Sequence, residues 1–175
     1  VNLDGSDFKE LTPFEKVRVG IVDELKDNDI EMLISINKRD PRLFDVYRIN
    51  IYTGEMEMIV ENPGNMTGYM TDHDGKLRVA LATDGVNTSV LYRESEKDSF
   101  QNLITTNFRN NFNPAAFTYD NKNLYVASNM GRDKTVYIEY DIQNKKEAKL
   151  IYEHPEVDVS VLLKSDKRKL ITGIV

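Results

Sequence analysis

Asp72-His73-Asp74-Gly75 comes nearest to a chemical motif in this chain. Carboxylates at alternate positions and a glycine at the bend open the loops that wrap calcium with hard oxygen ligands. The later positions do not continue the pattern. Counted from Asp72, the fifth residue is Lys76 and the twelfth is Thr83, so no bidentate glutamate closes the shell. The stretch therefore reads as a hairpin turn, and no metal is expected. Nucleophilic chemistry fares no better. The histidines are His73, inside that turn, and His154, beside Pro155; there is no cysteine, and no Gly-x-Ser-x-Gly elbow holds a serine. No catalytic residue and no cofactor are expected.

The sharpest functional signal lies in two sets of loops. One set is generic and charged: 23–29, 72–76, 95–98 and 120–123, which solvation alone explains. The other set, 38–42, 107–113 and 130–134, carries Arg39, Arg42, Phe108, Arg109, Asn110, Asn111, Phe112 and Arg132. Arginine with aromatics is the composition that interfaces favour. Arg39, Arg42, Phe108, Arg109, Phe112 and Arg132 are therefore the candidate interface or substrate-gating residues. The plainer reading is that the arginines cap local turns and Phe108 and Phe112 fill gaps between blades.

The elements that must position these loops are strands. In 44–62, Tyr47, Ile49 and Ile51 alternate with Val46, Arg48 and Asn50, which is the two-residue period of a strand. Met56, Met58 and Val60 resume it after Tyr52-Thr53-Gly54, where glycine supplies the positive φ that closes a type I turn. This hairpin unit recurs. The apolar residues that follow polar turns, Ile30, Leu77, Leu124 and Leu170, stand 47, 47 and 46 residues apart, and Leu11, Ile59, Ile104 and Ile151 stand 48, 45 and 47 apart. Four short strands per period are the mark of propeller blades.

The expected strands are 17–22, 30–37, 44–51 and 55–60; 66–71, 77–82, 89–93 and 100–105; 114–119, 124–128, 136–142 and 148–152; then 157–164 and 170–175. Glu96 to Ile104 could also be read as a short helix, but a hairpin keeps register with the other repeats. The fold expected is all-β, a β-propeller fragment forming one partial domain over 1–175. Its complete blades are 13–62, 63–107 and 108–154; 1–12, an outer hairpin, and 155–175 are incomplete.

Composition narrows the partners. Forty per cent hydrophobic and thirty per cent charged residues suit a globular chain, and a net charge of −6 disfavours nucleic acid and anionic membrane. The apolar runs are too short to span a bilayer, and no signal-peptide pattern is present. Without cysteine no disulfide framework is available. Asn65-Met66-Thr67 and Asn87-Thr88-Ser89 match the glycosylation tripeptide, which arises by chance in most chains of this length. The tyrosines at 47, 92, 125, 137 and 140 suit packing between blades better than base stacking. Val1-Asn2-Leu3-Asp4-Gly5 reads as the interior of a longer protein.

Asn37-Lys38-Arg39-Asp40-Pro41-Arg42-Leu43-Phe44-Asp45-Val46-Tyr47-Arg48, Thr53-Gly54-Glu55, Glu61-Asn62-Pro63-Gly64 and Thr71-Asp72-His73-Asp74-Gly75 resemble the N-terminal propeller of bacterial acylaminoacyl-peptidase-like enzymes of the prolyl oligopeptidase family. Asn2-Leu3-Asp4-Gly5-Ser6 and Leu11-Thr12-Pro13 fit the same pattern. The resemblance implies a serine peptidase in which a propeller caps an α/β-hydrolase domain and restricts entry to short peptides. This chain would be the non-catalytic portion, with the hydrolase domain of the parent chain and peptides as partners, in a bacterial cytoplasm or cell envelope. A TolB-like propeller that binds a protein partner without an attached enzyme is the alternative. Incomplete blades at both ends also predict a homodimer through open blade edges.

Overall fold

The structure, a computed structural model, describes residues 4–175. Its strands form three four-stranded antiparallel meanders and a terminal two-stranded hairpin. The repeating all-β pattern is that of a propeller fragment, as the period requires. The chain divides into two compact units, one ending at Gly64 and the other running from Asn65 to Val175.

The first unit holds β1 (Val19–Asp23), β2 (Glu31–Asp40), β3 (Leu43–Asn50) and β4 (Met56–Val60), in that order across the sheet. Leu33, Ile36, Val46 and Ile49 are almost fully buried, so its central strands carry its core. Gly54 closes the β3–β4 turn at φ 81°, its N–H donating to Asn50 O at 2.8 Å. Residues 4–12 carry no strand, contrary to the expected outer hairpin; Val1 to Leu3 lie outside the described residues. Asp7 adopts φ 54°, outside the extended region a strand needs, and the Lys9 ammonium donates to Tyr52 O at 2.5 Å.

The second unit contains two complete sheets. β5 (Met66–Thr71), β6 (Leu77–Thr83), β7 (Thr88–Tyr92) and β8 (Gln101–Thr106) make one; β9 (Phe112–Phe117), β10 (Asn123–Ser128), β11 (Val136–Asp141) and β12 (Lys146–Tyr152) make the other. Residues 101–106 are strand, as the repeat register requires, not helix. Val79, Val90 and Leu103 of one sheet share a core with Phe117, Leu124, Val126 and Ile138 of the other. β13 (Leu162–Ser165) pairs with β14 (Leu170–Ile174), and Val159 packs on Ala127 and Tyr137 beside them. The expected strand from 157 starts only at Leu162. Asp158 and Val159 turn back to Thr135 instead, at 2.6 Å to its N–H and 3.2 Å to its carbonyl.

Because each sheet is a meander, its first-to-second and third-to-fourth turns lie at one end. The second-to-third turn and the link to the next sheet lie at the other. This polarity separates the candidate residues of the second unit from its charged turns.

Candidate contact loops and a buried arginine

In the first unit the sequence 38–42 is mostly strand, with only Pro41 and Arg42 left for the β2–β3 turn. Pairing skips from Ile36–Asp45 to Asp40–Leu43, and the Asn37 amide fills this irregularity by donating to Pro41 O at 2.8 Å and accepting from Arg18 N at 2.5 Å. Arg39 turns inward. Its Nε and Nη2 donate to the two oxygens of buried Asp45 at 3.0 and 2.9 Å, and Nη2 also donates to Asn62 O at 2.8 Å. The hydrogen bond to Asp45 raises the pKa of this guanidinium. Arg42 is 84% exposed in its side chain and pairs with Asp40, holding that carboxyl down at about 2.

In the second unit, the 107–111 loop is pinned to 128–135. The Asn111 and Asn129 side chains exchange hydrogen bonds with each other's backbone N–H, at 2.8 and 2.7 Å, and Asn129 Nδ2 donates to Arg109 O at 3.2 Å. Phe108 projects from this scaffold 81% exposed, with the Arg109 guanidinium 5.5 Å from its ring centre. Phe112, in contrast, is buried at 3% exposure and meets Tyr140 edge-on with centroids 4.7 Å apart. It begins β9 and supports the loop from within the core, so its expected place on a contact surface is corrected. Arg132 of the β10–β11 loop makes a two-point pair with Glu147 near the start of β12, both distances 2.9 Å, which raises its pKa. The structure thus brings Phe108, Arg109 and the 128–135 loop together, while Arg39 and Arg132 are spent largely on internal pairs.

The charged turns at the opposite end are not merely solvated. Asp72 Oδ1 accepts from the N–H groups of Asp74 and Lys76, both at 3.0 Å, which closes the turn in place of a cation. Among the described residues no cluster suited to a metal is present. Asn121, at φ 58°, locks this turn to the next sheet. Its Oδ1 accepts from His73 N at 2.9 Å and its Nδ2 donates to Asp74 Oδ2 at 3.0 Å, while the His73 ring stacks on Tyr119 at 4.6 Å.

Arg78 in β6 lies beneath, with only 9% of its side chain exposed. Nη1 donates to Asp72 Oδ2 at 3.2 Å and Asn121 O at 3.0 Å; Nη2 donates to Tyr92 OH and faces Glu94 Oε1 at 3.4 Å. Burial opposes its charge, but Tyr92 and Asp72 outweigh that and raise its pKa. Burial, helped by the hydrogen bond to Glu94, pushes the Tyr92 phenol up to about 12, so it remains a donor. Arg78 stands over the rings of Tyr92 and Phe117 at 5.2 and 5.1 Å. Strand alternation alone places Arg78 among the polar positions of a half-exposed strand. The signal that could have found it is the run Val79-Ala80-Leu81-Ala82 beside it, which marks a strand covered on both faces.

No protein-family model matches the chain. Over 168 residues it is 26% identical to dipeptidyl aminopeptidase BIII of Pseudoxanthomonas mexicana, covering 91% of this chain and 23% of that protein. The chain thus spans about a quarter of the length of the relative it matches.

Proposed function

We propose that this chain is the non-catalytic propeller portion of a serine peptidase, seated on an α/β-hydrolase domain and limiting entry to short peptides. The observation that carries the reading is the match to a dipeptidyl aminopeptidase along 91% of a chain that repeats four-stranded antiparallel sheets. The sequence contributes the other half of the argument: without a nucleophile elbow it supplies no hydrolytic centre of its own. Exposed Phe108 beside Arg109, on a loop held rigid by asparagine side chains, is the contact surface in this reading, with Arg42 presented separately by the first unit. Arg39 holds the end of its sheet in shape, and Arg132 is spent on Glu147.

The test is direct. The purified chain should leave short peptides and acylated amino acids intact; cleavage abolished by a serine-directed inhibitor overturns the reading. The same exposed Phe108 also favours a second reading, a TolB-like module that binds a protein partner with no attached enzyme. A serine elbow encoded within a few hundred residues beyond Val175 selects the peptidase, and another binding module there selects the alternative.

A further inference from the structure

We propose that the groove between the two complete sheets of the second unit binds the terminal carboxylate of a short peptide, with Arg78 at its floor. The inference goes beyond the peptidase reading and does not rest on it, since a propeller with no attached enzyme would hold the same groove.

The groove encloses about 740 Å³ at the end carrying the β5–β6, β7–β8, β9–β10 and β11–β12 turns. That is more than a lone carboxylate fills and lies within the range of small-ligand sites. Its cation is built in. One side of the Arg78 guanidinium is committed to buried Asp72 and to the Asn121 carbonyl. The other side meets the Tyr92 hydroxyl and Glu94, whose side chain is 79% exposed. Arg78 Nε is buried with no hydrogen-bond partner, a donor still unmet.

Glu94 already displays the chemistry proposed. One of its oxygens lies 3.4 Å from Arg78 Nη2, and the other accepts from Tyr92 OH at 2.5 Å. An ion pair with so exposed a partner is weak, so another carboxylate can replace it. On the rim Lys122 pairs with Asp120 at 3.9 Å and Lys145 donates to Asn102 O at 3.1 Å. Asp120 and Asp141, held by Thr118 Oγ1 at 2.6 Å and by the Asn144 N–H and amide at 2.8 Å, balance the charge of those two lysines, so the rim is neutral and the incoming carboxylate takes the place of Glu94 at Arg78 one charge for one. Gln101 and Gln143 line the remaining length and offer the donors and acceptors that a peptide backbone needs.

Isothermal titration of the purified protein with N-acetyl-glycylglycine, its C-terminal amide and acetate tests this. The acid should bind at least about tenfold more tightly than the amide. Glu94→Gln should tighten the acid by roughly three- to tenfold, because the resident carboxylate no longer competes for the binding-competent state. Tyr92→Phe should weaken it. Arg78→Lys should weaken it more, since a point charge cannot reproduce the guanidinium fork; should that variant not fold, the Glu94 and Tyr92 variants carry the test. Equal binding of acid and amide, or a Glu94→Gln protein that binds no tighter, overturns the proposal. Full competition by equimolar acetate overturns the peptide assignment and leaves a site for small carboxylates.

Discussion

Arg39 and Asp45 meet through two parallel hydrogen bonds, 3.0 and 2.9 Å, with the carboxylate fully buried and the guanidinium reaching it from the end of β2. Asp45 also accepts from Asn62 N at 2.7 Å, so one carboxylate ties β3 to both the β2 end and the chain leaving β4. Removing one partner of such a pair leaves a buried charge uncompensated. Arg39→Ala should lower the thermal midpoint by about 5 °C or more, and adding Asp45→Asn should recover part of that loss. Additive losses in the double variant, measured by circular dichroism, would show that the two side chains are not coupled.

Asp84 sets an acid limit. Its carboxyl is held down at about 2, first by the Asn87 N–H, then by the Asn87 side chain and the Val86 N–H. A carboxyl depressed in the folded state stabilises above its unfolded value near 4, and the contribution disappears as pH falls through the folded value. Melts recorded from pH 6 to pH 2 should decline below about pH 4. Asp84→Ala should be less stable at pH 6 and converge on the parent near pH 2. Parallel curves would remove Asp84 as a cause.

Leu124 is fully buried in the shared core of the second unit, whereas Leu150 on β12 is 41% exposed. Leu124→Ala should cost about 2–5 kcal/mol, the transfer and cavity cost of a core leucine. Leu150→Ala should stay within about 1 kcal/mol. Urea titration separates them, and comparable losses would contradict the assignment of the core.

Phe108→Ala and Arg109→Ala should leave stability nearly unchanged, since Phe108 is 81% exposed. In the peptidase proposed above, the contact-loop reading predicts that they alter kinetics more than Lys76→Ala, which lies in the β5–β6 turn at the opposite end of the sheets. Equal effects at the two ends, compared through kcat/KM, would remove that reading.

Val161 and Leu163 are 46% and 48% exposed beside β14, which among the described residues pairs with no strand but β13. Exposed edges and apolar faces favour self-association. The chain alone should elute as a dimer by light scattering, and Leu163→Lys should make it monomeric. A monodisperse monomer of the unaltered chain sinks the expectation.

The period of about 47 residues made the sheets legible because it is carried by turn chemistry and strand alternation, both local. Residues 66–71 are strand to the residue. What could not be read locally were contacts between segments far apart in sequence. Phe112 belongs to β9 because Tyr140 receives its ring, and the strand expected from 157 is delayed because Asp158 and Val159 return to Thr135. Arg78 escaped because strand alternation marks it as an exposed polar position, while Tyr92 and Asn121, 14 and 43 residues away, help to bury it.

Asn121 joins the second unit's complete sheets in a way that has a direction. It supplies an acceptor to His73 and a donor to Asp74, 48 and 47 residues earlier, while Tyr119 beside it reaches forward to Asp166, 47 residues later, at 3.5 Å. The β9–β10 turn thus has a front and a back that differ chemically, like the two ends of a monomer in a head-to-tail polymer. The repeats cannot be shuffled as interchangeable bricks. A chain with these two sheets transposed would keep every strand and hydrophobic face, yet it would lose the Asn121 and Tyr119 contacts, so the order of these two sheets is written into side chains outside their cores.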